Sequence, residues 1–160
     1  MAYEFYVTIE ATKQGRLKGE SARDVHKGKL AGIGFSYEVK SPRDTASGQA
    51  SGKRQHGAVT FTKEWGAASP QLFSALVSNE MIKSALFEFV RTNDVGVERA
   101  FHTIKLTNAS VTAIHQYIAA QEDADLDNAE LEDVALTFRG IEITNVDAKT
   151  TASDSFVGTP

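Results

Sequence analysis

The chain has no cysteine among its 160 residues, which excludes disulfides, thiolate metal sites and cysteine nucleophiles and leaves stability to packing and assembly. It also lacks any apolar run approaching the roughly 18 consecutive residues that a membrane-spanning helix needs. Positive charge is scarce: 17 Lys and Arg face 21 Asp and Glu, for a formal net charge of −4. Without a global positive field, no partnership with nucleic acid and no insertion into a membrane are expected. The opening Met1-Ala2-Tyr3-Glu4-Phe5-Tyr6 shows no basic segment followed by an apolar stretch. A cleaved secretory signal is therefore not expected, and synthesis ends in the cytoplasm.

What the chain does have is alternation. Phe5, Val7 and Ile9 alternate with polar neighbours, as do Ile33, Phe35, Tyr37 and Val39, and this period of two predicts half-buried strands. Val59, Phe61 and Trp65, then Ile104 and Leu106, then Val111, Ala113 and Tyr117 continue the pattern. Residues 82–90 (IKSALFEFV) are apolar on both parities, which predicts a central strand covered on both faces. Val134, Leu136 and Phe138 share one parity and Ile141 and Ile143 the other. A β-bulge at Arg139-Gly140 within one last strand is the expected cause. One helix interrupts the strands: Ser69-Pro70 predicts its N-cap and first position, Leu72, Phe73, Leu76 and Val77 its buried stripe, and Asn79 its end. The expected architecture is one domain, predominantly antiparallel, with a single helix against the sheet.

Two segments lack either periodicity. The loop 40–56 is rich in Gly and Ser and carries Lys40, Arg43, Lys53 and Arg54 against Asp44 alone. Segment 122–133 carries Glu122, Asp123, Asp125, Asp127, Glu130, Glu132 and Asp133 with no Lys or Arg. Loops of this length inside a compact domain are usually functional or disordered.

No reading of these residues yields catalysis. Gly48-Gln-Ala-Ser-Gly52-Lys53-Arg54 imitates a phosphate loop, but it has three residues between its glycines where four are needed, Arg where Ser or Thr is needed, and a strand after it. His26, His56, His102 and His115 lack the spacings that build metal sites, so no metal and no cofactor is expected. No G-x-S-x-G elbow marks an activated serine. Asn108-Ala109-Ser110 matches a glycosylation pattern but opens a strand in a chain without a visible signal. The acidic run has no glycine where a calcium loop turns.

Several segments together resemble the Hcp family of type VI secretion tube proteins. They are Gln14-Gly15-x-Leu17-x-Gly19; the loop Pro42-x-Asp44 leading to Gly48 and Ser51-Gly52-Lys53-Arg54-x-His56; Ser69-Pro70-x-Leu72-x-x-Ala75; Phe101-His102-Thr103-Ile104-x-Leu106; and Glu132-Asp133-Val134-x-Leu136-x-Phe138. The sequence departs from the family pattern in the acidic stretch 122–130 and at Asp154-Ser155-Phe156, where an aromatic, often Trp, is expected. The resemblance implies a small antiparallel β-barrel with one α-helix packed on its side, like a phage tail tube, spanning 1–160 as a single domain. It further implies a non-enzymatic subunit of a homohexameric ring. Rings stack into a tube inside a sheath and baseplate, carry a spike protein at the tip and effector proteins in the lumen, and are expelled from the cell. Pro42, Arg43, Asp44, Lys53, Arg54 and His56 are then candidates for contact with a neighbouring subunit or ring, and Asp125 and Asp127 for the acidic surface they meet. Two alternatives share parts of this pattern: the tube of an extracellular contractile particle or phage-like tail, and a monomeric barrel that binds a small ligand inside.

Overall fold

The computed structural model describes residues 4–21, 26–118 and 130–155. Their strands are β1 (Glu4–Ala11), β2 (Gly15–Arg16), β3 (Leu30–Gly32), β4 (Gly34–Ser36), β5 (Val39–Lys40), β6 (Gln55–His56), β7 (Val59–Glu64), β8 (Ile82–Thr92), β9 (Glu98–Ile118), β10 (Glu130–Thr137), β11 (Gly140–Asn145) and β12 (Thr150–Ser155). The helix α1 (Ala68–Val77) lies between β7 and β8. Every strand pairing is antiparallel.

The long strand β9 organises the sheet. Its first half pairs with β8 on one side and β11 on the other, while its second half, from Ser110, pairs with β10. The change comes at Asn108, whose φ of 49° is in the left-handed region that Asn tolerates better than most residues. From β9 the ladder runs through β10 to β7 and β4 in one direction and through β8 to β1 in the other. Residues 30–36 join the two ends: β3 pairs with β1 and β4 with β7, and between them the Ile33 amide donates to the Thr62 carbonyl at 2.8 Å. The result is a barrel. The alternation of residues 33–39 predicts one strand, but β4 ends at Ser36 on β7 and β5 begins at Val39 on β6, with Ile33 outside both and 59% exposed.

The interior holds Val7, Ile9, Leu30, Val59, Phe61, Phe87, Leu106, Val134 and Leu136 in a single cluster. Residues 82–90 form most of β8, flanked by β1 and β9, although β9 carries more partners. The expected bulge at Arg139-Gly140 is instead a break between two strands. β10 leaves the barrel wall there, and β11 starts a hairpin with β12 that extends from the first half of β9. The parity of Ile141 and Ile143 switches because they belong to a different ladder.

Helix α1 begins at Ala68, one residue before the expected cap, and Ala67 supplies no side-chain cap. Its inward face is Ala68, Ser69, Leu72 and Ala75, with Leu76 at the margin. Phe73 and Val77, expected in the stripe, are 61% and 58% exposed. Small residues at 68 and 75 flank Leu72 on the face toward the sheet, and Phe73 and Val77 fall on the outer side. Asn79 ends the helix as expected. At φ 54° it allows the Glu80 amide to reach the Ala75 carbonyl and its own amide to reach Leu76, the paired bonds of a Schellman motif. Gly19 is explained by crowding, since a Cβ there would lie 2.1 Å from the Lys29 backbone.

Candidate assembly interface

The loop 40–56 is not structureless: it is an extended hairpin. Val39 pairs with His56 and Lys40 with Gln55, Arg43 bridges to Ala50, and the Ser51 amide donates to the Pro42 carbonyl. Asp44 holds the tip. Its carboxylate accepts from the Ala46 amide and the Ser47 hydroxyl, an Asx turn of the kind aspartate favours. Apart from Pro42, every residue from 39 to 55 is exposed, so the hairpin is an arm that projects from the barrel.

The candidate contact residues divide between the arm and its root. Arg43 and Lys53 are exposed and form no ion pair among the described residues. Arg54 and His56 turn back onto their own chain. Arg54 donates from Nε and a terminal nitrogen to the two oxygens of Asp154, both at 2.7 Å, and His56 Nε2 meets Asp154 at 2.8 Å. The other His56 nitrogen meets the Tyr37 hydroxyl at 2.5 Å. Arg54 and His56 hold the Asp154 carboxyl well below the usual carboxylate range, and burial followed by the Asp154 charge raises the Tyr37 phenol. Asp125 and Asp127 lie outside the described residues.

The acidic run is not uniformly a surface. Glu132 and Asp133 are in β10, and Glu132 is fully buried. It accepts from Lys63 at 2.9 Å, from the Ser69 hydroxyl at 2.7 Å and from Gln116 at 2.9 Å. Lys63 is equally buried, lies 3.3 Å from Glu20 and donates to the Glu64 carbonyl. Burial alone would raise the Glu132 carboxyl, but the bonds from Gln116, Lys63 and Ser69 outweigh it and leave the group below its ordinary value. Sequence reasoning missed this pair, although Lys63 has the inward parity of Val59 and Phe61. Glu80 plays a similar part at the turn after β1, accepting from the Lys13 and Gln14 amides.

Two features offer themselves to other chains. Among the described residues no strand pairs with the outer edge of Ser110–Ile118, since β8 ends its pairing at Ala109. That segment, SVTAIHQYI, has no Lys, Arg, Asp, Glu, Pro or Gly, the devices that usually protect an exposed edge. Beside it α1 carries no charged residue at all, and Pro70, Phe73, Ile114 and Gln116 line a shallow groove between the two. Among the described residues β12 is a second edge, paired only with β11. Among the described residues no group of three or more His, Asp or Glu could hold a metal ion.

A barrel with one side helix, a projecting hairpin arm and, among the described residues, two open strand edges defines a class of β-rich domain. The chain belongs to the Hcp family: residues 6–144 match the family profile described as type VI secretion system effector, Hcp. It is 32% identical to the major exported protein of Pseudomonas aeruginosa over 98% of this chain and 96% of that one. Among solved structures, the crystal structure of an Hcp protein superposes with a TM-score of 0.88 at 26% identity, covering 96% of this chain and 99% of the other. The secreted protein Hcp3 from Pseudomonas aeruginosa gives 0.80 at 27% identity, over 98% and 100%.

Proposed function

We propose that this Hcp protein is the structural subunit of the inner tube of a type VI secretion system and not an enzyme. Copies join in the cytoplasm as six-membered rings, the rings stack within a sheath on a baseplate, and contraction expels the tube with a spike at its tip and effectors in its lumen. The observation that carries this reading is the open edge Ser110–Ile118 beside an uncharged helix. An unprotected edge of this length invites pairing, and a head-to-tail contact closes into a ring when its rotation permits. β12 offers the complementary edge on the same molecule. The arm supplies the axial contact, with Arg43 and Lys53 facing an acidic surface of the next ring that includes Asp125 and Asp127.

Native mass measurement and negative-stain microscopy of the purified protein test the reading. Closed rings of six with an open channel are expected. A monodisperse monomer at high concentration would overturn it and favour the ligand-binding barrel.

A further inference from the structure

The arm is long but thinly rooted. Among the described residues its backbone bonds from Lys40 to Gln55 run only within the hairpin, as the Lys40–Gln55 pairing, the Arg43–Ala50 bridge and the turn bonds of Asp44, Gly48 and Ser51. No apolar side chain between Val39 and Gln55 is buried against the barrel. A two-stranded ribbon with so few rungs is marginal by itself, and pairing at its base does not set the angle at which it leaves the barrel.

At that base, Arg54 and His56 converge on the carboxylate of Asp154, 100 and 98 residues away in sequence. Arg54 grips Asp154 through two parallel bonds, one to each oxygen, and donates again to the Ser155 carbonyl at 3.2 Å. The His56 side chain, 7% exposed, places Nε2 on the same carboxylate. Its ring lies near-parallel to Tyr37 and edge-on to Phe138. The ring is thus held from both sides, Nδ1 meeting the Tyr37 hydroxyl and Nε2 meeting Asp154. Paired fork bonds to a carboxylate fix direction as well as distance, so strand β12 and the arm cannot turn independently while this contact holds.

We propose that Asp154 is a positioning residue that latches the arm at a fixed angle to the barrel, so that the arm is already in its docking orientation before a neighbouring ring arrives. The latch removes the ordering cost that a swinging arm would incur on contact. It rests on the reading of the arm as the axial contact between rings, and the two are separable by experiment.

Because the chain has no cysteine, Ser47→Cys gives a single labelling site at the arm tip for a nitroxide. In the full-length labelled protein, Asp154→Asn is expected to increase label mobility and shorten the stacked tubes, while closed rings form and the melting temperature holds. Arg54→Gln should do the same. The exchange Arg54→Asp with Asp154→Arg should restore part of both, a rescue that a merely structural role would not give. Unchanged label mobility in both Asp154→Asn and Arg54→Gln would overturn the latch, as would loss of the rings themselves, which would show that the Asp154 side chain serves the lateral contact made along the β12 backbone and not the arm. Increased mobility with tubes of normal length would uphold the latch and overturn the reading of the arm as the axial contact.

Discussion

Lys63 and Glu132 meet where neither side chain reaches solvent, whereas Arg54 and Asp154 meet with 43% and 36% of their side chains exposed. Both are short, hydrogen-bonded ion pairs joining segments far apart in sequence, yet physics gives them opposite uses. In the dry setting neither charge can be left alone, so the pair is bound up with folding: β7, β10, β9 and the start of α1 are all committed to it. In the wet setting water can replace either partner. The pair adds little to folding, and its value lies in the direction it imposes on the arm. The lesson is that an ion pair's role is read from its surroundings and not from its length.

Breaking the buried pair should give the largest effect. Lys63→Met leaves Glu132 uncompensated and should cost about 3–5 kcal/mol in urea denaturation at fixed protein concentration, much of it recovered when Glu132→Leu is added. The pH dependence sharpens the contrast. In the parent, Glu132 titrates lower when folded, so its stabilisation is complete above the unfolded carboxylate value of about 4.3 and is lost as pH falls through the lower folded value. In Lys63→Met only the bonds from Gln116 and Ser69 still oppose burial, so Glu132 should titrate higher than in the parent and its loss of stabilisation on acidification should be smaller. A urea midpoint that falls equally in both proteins below pH 5 would contradict the pairing.

The helix comes next. Leu72→Ala should cost about 2–5 kcal/mol because Leu72 is wholly inside, with a smaller loss for Leu76→Ala. Phe73→Ala, on the outward face, should stay within about 0.5 kcal/mol for the folding of the subunit while weakening ring formation, read as a shift of mass from ring to monomer. Smallest for folding is the arm. Arg43→Glu with Lys53→Glu, which spares the latch at Arg54, should leave the melting temperature unchanged and reduce stacking and secretion, with partial recovery on adding Asp125→Lys and Asp127→Lys. Normal tube length in the first variant would remove these charges from the contact.

Much of this molecule was written in its local pattern. Period-two alternation located β1, β7 and β10, because a strand half-buried in a sheet forces apolar residues to one parity, and a run apolar on both parities located β8. Ser69-Pro70 and Asn79 bracketed the only helix among the described residues, because caps and left-handed ends are local chemistry. Other features depend on which distant segments meet. Residues 33–39 alternate as one strand, but only tertiary pairing shows that β4 belongs to β7 and β5 to β6. The loop 40–56 shows no period because an arm with both faces in water has no reason to alternate. Lys63 and Glu132 look like surface charges in the sequence, since burial of an ion pair needs both partners at one point and 69 residues separate them. The sequence by itself determined a cysteine-free β domain with one helix and a basic, glycine-rich excursion. Only the tertiary structure decided that the excursion is an arm held by Asp154, because a carboxylate finds its guanidinium through the fold of the chain between them.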